Sequence, residues 1–271
     1  MKIILNSKDR IDSTSSANDC QFNFDWSTAL EEGHYHVKYS ICKQLKALPA
    51  IPTFQQLLVN KPPWSRYDVT SFNQTTQILS DLTGNGRNAT CTNAFIATQI
   101  NIINGSGTRL TSIVGPPNAT VQFPVGSLPP VHTLCFITRY RGTIANQKRI
   151  LVNDLGNYFG HFNASRGGCF YGNQTLSNGV TTAPVINYLN MCINSSISAP
   201  DNVLVNGVPN GLLNVPAVAP FASKLAINIG TTEVSGWELS QLIIFDRSLS
   251  VIEMGVISSS FTNYLATGIL I

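Results

Sequence analysis

Residues 237–253 read WELSQLIIFDRSLSVIE, and this stretch decides the fold class. Its first nine residues, Trp237 to Phe245, are mostly apolar, which is typical of a long central strand. Ser250 and Glu253 have the spacing of a capping box, in which a serine begins a helix and a glutamate three residues later closes its first turn. Gly268 provides an end for that helix. The stretch therefore predicts a strand followed by one short helix near the C-terminus.

From Trp64 onward, the chain consists of short β-prone runs separated by Gly, Pro and Asn turns. Asn206-Gly207, directly after Val203–Val205, is the strongest hairpin signal. Gly84-Asn85-Gly86 predicts a tight turn with positive φ, and no helical pattern follows it, as a phosphate-binding loop would require. We therefore predict an all-β fold for residues 64–271, an antiparallel two-sheet sandwich with one short C-terminal helix.

Residues 1–45 predict a separate N-terminal β-arm. Gln21–Trp26 and Tyr35–Ile41 alternate side chains with the two-residue period of half-buried strands, and they make a plausible antiparallel pair. Prolines then punctuate residues 46–63, which we predict to be a linker. Exposed strand edges of the arm would add strands to a neighbouring subunit or to the sandwich, so we assign it to assembly. The residues assigned to this role are Ile3, Leu5, Arg10, Phe22, Phe24 and Trp26.

Composition excludes several classes of function. The 271 residues include 17 Lys and Arg and 14 Asp and Glu, a net charge of +3, and only 11% are charged. Without a basic run, nucleic-acid binding is not expected as the main task. No stretch approaches roughly 18 consecutive apolar residues, so no membrane span is predicted. The N-terminal apolar run stops after Leu5, which is too short for a signal peptide, and we expect synthesis in the cytosol.

The sequence contains no recognisable set of catalytic residues, and we predict that the chain is not an enzyme. The nucleophile motif Gly-x-Ser-x-Gly is absent. Sandwich glycosidases place paired carboxylates on one strand face, whereas Glu233 and Glu238 differ by an odd number and would lie on opposite faces. Cys169 and His161 share a Gly-rich region, but nothing nearby supplies a third, orienting group. Glycan hydrolysis is therefore the least favoured function.

No metal site is predicted. The six cysteines form no Cys-x-x-Cys pair, and we expect free thiols. His34 and His36 share a strand face without a third ligand nearby. Calcium remains an alternative at Asn153 and Asp154, together with Asp81, although turns rich in Asn and Asp use the same oxygens for backbone hydrogen bonds. No cofactor is expected apart from this calcium alternative.

One group of residues, close together in the sequence, forms a candidate ligand site. It mixes aromatic rings with amide and carboxylate groups. Sugar sites use this mixture, because a sugar ring stacks on an aromatic side chain while polar groups bind its hydroxyls. The alternative is a set of ordinary hydrophilic turns over a sandwich. The residues are Asn153, Asp154, Tyr158, His161 and Tyr171.

Three stretches carry a resemblance to a known family: residues 64–68, WSRYD, residues 81–90, DLTGNGRNAT, and residues 237–253. Together they resemble laminin-G-like sandwiches of the concanavalin type, over about Trp64 to Ile271. More narrowly, these stretches taken together are similar to laminin-G-like proteins encoded by large DNA viruses of algae and other protists. The resemblance implies a concanavalin-like jelly roll that binds glycans, proteins or calcium.

Residues 3–10, IILNSKDR, and residues 20–24, CQFNF, carry a second resemblance. They look like the N-terminus of minor capsid and vertex proteins in those viruses, virophages and their relatives. Only about three strands fit before the linker, so the resemblance does not extend to a complete capsid jelly roll.

Combined, the two resemblances imply a structural virion protein, a minor capsid, vertex or surface component made in the host cytoplasm and located in the virion. Its arm would dock it, and its sandwich would be displayed like a lectin. The expected partners are other capsid proteins, in a homo-oligomer or hetero-assembly, and host-surface glycans. The alternative is a glycan-binding, lectin-like module without a capsid role.

Overall fold

The computed structural model describes residues 51–99, 105–171, 174–176, 186–195, 203–210, 222–229 and 233–271. The chain divides into two compact units, Met1–Ala50 and Ile51–Ile271, and every described residue belongs to the second. The predicted arm over residues 1–45, with its six docking residues, therefore lies outside the described residues, and the domain boundaries stay a prediction.

The described residues of the second unit form two α-helices, two short 3-10 helices and seventeen strands. The α-helices are α1 (Phe54–Asn60) and α2 (Val251–Thr267), and the 3-10 helices are Val69–Ser71 and Ile144–Asn146. The strands are β1 (Ser65–Asp68), β2 (Phe72–Asn73), β3 (Ile78–Leu79), β4 (Ala89–Thr92), β5 (Phe95–Thr98), β6 (Thr111–Gly115), β7 (Thr120–Gln122), β8 (Thr133–Arg141), β9 (Leu151–Asn153), β10 (Tyr158–Phe162), β11 (Ser165–Tyr171), β12 (Gln174–Leu176), β13 (Leu189–Asn194), β14 (Val203–Val205), β15 (Val208–Pro209), β16 (Leu225–Ile227) and β17 (Gly236–Phe245).

The strands form two antiparallel sheets, which confirms the predicted all-β, two-sheet sandwich. Sheet A has the order β15-β14-β13-β8-β17-β6-β5, with β1 also paired to β17. Sheet B has the order β12-β11-β10-β9-β16-β7-β4-β3-β2. Strands that are consecutive in the chain pair toward the edges of the sheets, whereas the pairs β13–β8, β8–β17, β17–β6, β9–β16, β16–β7 and β7–β4 join strands that are distant in the sequence.

Strand β17, predicted as the central strand, is buried along all ten residues. It pairs with β6 and β8 within sheet A. Leu242 and Ile244 belong to the apolar layer between the two sheets. Ile243 and Phe245 belong to a second apolar layer, which lies between the outer face of sheet A and the helices. Because both faces of this strand are covered, its sequence is a nearly continuous apolar run rather than an alternating one.

Helix α2 confirms the predicted C-terminal helix and both of its ends. The Ser250 hydroxyl accepts a hydrogen bond from the Glu253 backbone N–H at 3.3 Å, and the Glu253 carboxylate accepts the Ser250 N–H at 2.8 Å. Gly268 ends the helix with a φ of 79°, a left-handed conformation that glycine adopts without strain. Among the described residues, neither α-helix combines the length and the apolar character needed to cross a bilayer.

The predicted linker over residues 46–63 contains helix α1, which the sequence analysis did not predict. Thr53 and Gln56 form a capping box at its start. Phe54 and Leu57 are each only 2% exposed, and they pack in the apolar layer that also contains the buried face of α2. The residues of α1 therefore belong to the sandwich domain rather than to a linker.

Two predicted turns are confirmed by positive φ angles. Asn206 and Gly207 have φ values of 51° and 83°, and they connect β14 to β15 as a two-residue hairpin turn. Gly84 and Gly86 have φ values of 77° and 71°, and no helix follows them.

Candidate functional site

Three aromatic side chains lie together on the outer face of sheet B, which is directed away from sheet A. Tyr158 and Phe162 belong to β10, and Phe170 belongs to β11. The ring centroids of Tyr158 and Phe162 are 4.7 Å apart, and those of Tyr158 and Phe170 are 6.2 Å apart, with 16° between the ring planes in both pairs. The three rings are nearly parallel, and we call them the aromatic platform.

Strand periodicity and register bring these rings together. Tyr158 and Phe162 are four residues apart in β10, and their stacked rings lie on one face although the register with β11 shifts between Gly160 and His161. Phe170 lies directly opposite Tyr158 in the neighbouring strand, and cross-strand partners have adjacent side chains. Phe159 and Cys169, which are paired next to them, are fully buried in the layer between the sheets.

The platform continues across the sheet into small apolar and then polar side chains. Val152 is paired with Tyr158, and Ala226 is paired with Val152. These three residues form an apolar cluster separate from the layer between the sheets. Gln122 follows in the same row and is exposed, and its Oε1 accepts a hydrogen bond from Lys224 Nζ at 2.8 Å. The row thus runs from apolar to polar across sheet B.

A charged pair borders the platform. The Arg149 guanidinium lies 5.4 Å from the ring centroid of Tyr158 and 5.3 Å from that of Phe162. Its Nε is 2.7 Å from Glu233 Oε2, and the two side chains are 25% and 41% exposed. Tyr158 is only 7% exposed, whereas Phe162 and Phe170 are half-buried. A ligand would therefore meet Phe162, Phe170 and the charged pair before it met Tyr158.

Asn153 and Asp154 hold the backbone of the neighbouring turn. Asn153 is 4% exposed, and its Oδ1 accepts hydrogen bonds from the backbone N–H groups of Leu155 at 3.2 Å and Asn157 at 2.9 Å. Asp154 is exposed, and its Oδ1 accepts the Lys224 N–H at 2.9 Å. Burial gives Asn153 a structural place, which corrects its assignment to a ligand surface, whereas Asp154 remains accessible.

His161 lies between the sheets rather than in a surface loop, which corrects its assignment to the ligand site. It is fully buried, and its ring centroid is 4.6 Å from that of Tyr140. Burial is the main cause that lowers the pKa of His161 to about 3, so the ring is neutral. Tyr171 is the last residue of β11. Of the four predicted residues whose side chains the structure describes, only Tyr158 belongs to the aromatic platform.

Sequence reasoning missed three residues of this site: Phe162, Phe170 and Arg149. A signal for Phe162 was present, because it follows Tyr158 at an even spacing in a β-prone run. Phe170 could be added only once its pairing with Tyr158 was known. Arg149 reaches the platform from just before β9, and no local pattern indicates that contact.

The oxygens considered for calcium are used by turns. Asp81 Oδ1 accepts the backbone N–H groups of Arg66 at 3.1 Å and Thr83 at 3.0 Å. Asn153 and Asp154 accept backbone N–H groups of a different turn and of the residue before β16. Within the described part of the chain, no three His, Cys, Asp or Glu side chains group together as metal ligands would.

The residues considered for catalysis have structural partners. In sheet A, Glu238 forms a two-point ion pair with Arg139, at 2.7 and 2.5 Å. Glu233 instead pairs with Arg149 beside sheet B. Burial raises the pKa of the Cys169 thiol to about 12, so it is protonated at neutral pH. The described cysteines are buried and free, as predicted: Cys91, Cys135, Cys169 and Cys192.

No family model and no curated protein matches the chain, whereas 114 chains of solved structures do. Trypanosoma rangeli sialidase in complex with the inhibitor DANA has a TM-score of 0.56 at 14% identity, covering 80% of this chain and 34% of that chain. The same sialidase in complex with sialic acid has a TM-score of 0.52 at 12% identity, covering 73% and 32%. The chain therefore spans about a third of the length of these sialidases, and the likeness establishes the fold.

These structural matches correct the main functional prediction. They agree with a concanavalin-type sandwich, and they give no support to a viral origin or to a relation with capsid proteins. The interpretation of the chain as a structural virion protein is therefore wrong.

Proposed function

We propose that the chain is a lectin-like module that binds glycans at the aromatic platform and does not cleave them. The observation that carries this proposal is the nearly parallel arrangement of Tyr158, Phe162 and Phe170, with the Arg149 guanidinium over two of the rings. Large aromatic side chains on an outer sheet face, beside accessible charged and amide groups, have the composition of a sugar site.

The platform suits the flat apolar face of a sugar ring. A pyranose presents C–H groups on one side, and these stack on an aromatic ring with little loss of hydrogen bonding. Phe162 and Phe170 are half-buried, so each has accessible surface while its position is fixed by contact with Tyr158. Such preorganisation lowers the entropy lost when a ligand binds.

Polar groups near the platform would bind the hydroxyls. Gln122 and Asp154 are exposed, and Glu233 is 41% exposed beside Arg149. Amide and carboxylate oxygens accept hydrogen bonds from hydroxyls, and amide and guanidinium N–H groups donate to them. A sugar hydroxyl both donates and accepts hydrogen bonds, so this mixture of donors and acceptors can satisfy both of its roles.

The arrangement of the carboxylates supports binding rather than cleavage. Most glycosidases, sialidases excepted, use one carboxylic acid and one carboxylate directed at the same bond. Glu238 is held by Arg139 within sheet A, and Glu233 is held by Arg149 beside sheet B. The structural neighbours agree with a sugar-directed function, since one was solved with sialic acid, although the chain spans only about a third of them.

A glycan array with the full chain tests the proposal. We expect the wild-type protein to bind a restricted set of glycans and the Phe170→Ala variant to lose that binding. The matched control is Phe95→Ala, because Phe95 is also half-buried and lies 5.6 Å beneath a guanidinium, that of Arg141, but belongs to sheet A. The control should bind like the wild type.

Two results would overturn the proposal. One is an array on which the wild-type protein binds nothing, or on which Phe170→Ala binds unchanged. The other is release of sugar from a bound glycan, followed by chromatography, which would make the chain a hydrolase. Loss of that release in Glu233→Gln would identify that carboxylate as the one responsible.

A further inference from the structure

Arg166 is a buried cation without a carboxylate partner. It is 4% exposed, and its Nη1 donates to the backbone carbonyls of Tyr188 at 2.7 Å and Asn187 at 3.5 Å. Its Nε is buried without a hydrogen-bond partner. Within the described ranges, no salt bridge joins it to an acidic side chain. A guanidinium stays protonated in proteins, so its charge must be balanced in another way.

His161 offers a second unsatisfied donor beside Arg166. The two residues are cross-strand partners in β10 and β11, and His161 Nε2 is buried without a hydrogen-bond partner. The Thr138 hydroxyl lies 3.4 Å from His161 Nδ1, and in the tautomer in which it donates to that nitrogen the neutral ring carries its proton on Nε2. Buried polar groups nearly always have a partner, so two N–H groups here require an acceptor.

The packing around these two groups limits the size of any ligand. The Tyr140 ring packs edge-on against His161, with 4.6 Å between centroids. A Cβ placed on Gly160 would lie 2.8 Å from a Leu189 side-chain atom and 2.9 Å from Phe136, so the sheets approach closely beside His161. A polyatomic ligand such as a sugar acid would need more room than this packing provides.

We propose that Arg166 Nε and His161 Nε2 bind a small monovalent anion of halide size between the two sheets. The anion accepts both N–H groups and balances the guanidinium charge. Arg166 comes from sheet B and donates to the Tyr188 carbonyl, just before β13 of sheet A, so the anion would fix the side chain whose hydrogen bond joins the two sheets at this edge. This site is separate from the aromatic platform, which lies on the outer face of sheet B.

Thermal unfolding in sodium bromide tests the site, with sodium gluconate balancing the ionic strength at neutral pH. We expect bromide at a few times its Kd to raise the Tm of the full chain by roughly 2–4 °C, and the Tm to rise further with the logarithm of the bromide concentration. Arg166→Met should lose this dependence. The matched control is Arg109→Met, which removes the same charge from an exposed arginine and should keep the dependence. His161→Phe retains the cation and removes one donor, so its bromide dependence should weaken even if Arg166→Met fails to fold.

Anomalous scattering from crystals grown in bromide locates the ion directly. The expected result is a bromide peak between Arg166 Nε and His161 Nε2. The proposal is overturned if only an ordered water lies there, or if the Tm does not depend on bromide. An equal bromide shift in His161→Phe and in the wild type would also overturn it, since the ion would then bind elsewhere.

Discussion

At the scale of single residues, buried polar side chains determine how the fold responds to pH. His132 is 2% exposed and His161 is fully buried. Burial lowers the pKa of His132 to about 4, against about 6.5 for an unperturbed histidine. The pKa of His161 is lowered to about 3, mainly by burial and further by the Arg166 charge. Both rings are therefore neutral in the folded protein at pH 7.

Acidification should destabilise the fold through these histidines. The unfolded chain binds their protons more readily, so their stabilising contribution is complete above pH 6.5 and is lost as the pH falls toward 4 and 3. The pKa change of His132 corresponds to roughly 3 kcal/mol. Urea unfolding of the wild type at pH 7 and pH 4.5 should show this loss, and His161→Phe should lose less. Equal losses in both proteins would assign the pH dependence to other groups.

The ion pair between Arg139 and Glu238 gives a second prediction at this scale. Its side chains are 10% and 5% exposed, and Glu238 Oε2 also accepts the Tyr188 hydroxyl at 2.9 Å. Glu238→Gln leaves a buried guanidinium unpaired, which should lower the free energy of unfolding by about 3–5 kcal/mol. The double variant Arg139→Met/Glu238→Met removes both charges and should recover much of that loss. Urea unfolding measures both, and a loss below about 1 kcal/mol for Glu238→Gln would contradict this account.

At the scale of elements, the sequence predicted the helices and strands that are determined by residues close together in the chain. Ser250, Glu253 and Gly268 indicated both ends of α2, and the structure has the capping box and the left-handed cap that they imply. Thr53 and Gln56 cap α1 in the same way, but the prolines around them favoured a linker. The stability of α1 comes from burying Phe54 and Leu57 in the layer beneath α2, a contact between distant residues that no local pattern reveals.

The capping box of α2 can be tested by removing its hydroxyl. Ser250→Ala leaves the Glu253 N–H without its acceptor, and we expect it to lower the free energy of unfolding by about 1 kcal/mol. Ser259→Ala is the matched control, because it removes an exposed hydroxyl from the middle of the same helix and alanine favours a helix interior. Chemical unfolding should show that Ser250→Ala is less stable than Ser259→Ala. The opposite order would contradict the claim that the Ser250 cap stabilises α2.

At the scale of the whole molecule, the described residues of the sandwich form three apolar regions with different roles. One layer joins the two sheets, and a second joins sheet A to the helices. The third is the small cluster of Val152, Tyr158 and Ala226 on the outer face of sheet B, where Phe162 and Phe170 are only partly covered. The first two account for the fold, and the third is where the proposed function lies.

The candidate site was less predictable than the fold because it depends on register across five strands. Tyr158 could be named from its sequence neighbourhood, but Phe170 joins it only through the pairing of β10 with β11. His161 lies in the same stretch of sequence, yet its side chain is directed between the sheets. Proximity in the sequence therefore grouped residues that the sandwich separates onto two faces.

The most direct test of the central claim is isothermal titration calorimetry with a glycan that the full chain binds on an array. If the platform is the binding surface, Phe162→Ala and Phe170→Ala should each weaken the affinity by about fivefold or more, since a central aromatic contact contributes more than about 1 kcal/mol. Phe95→Ala should bind like the wild type. Unchanged affinity in both platform variants would contradict the account, and so would an equal loss in Phe95→Ala.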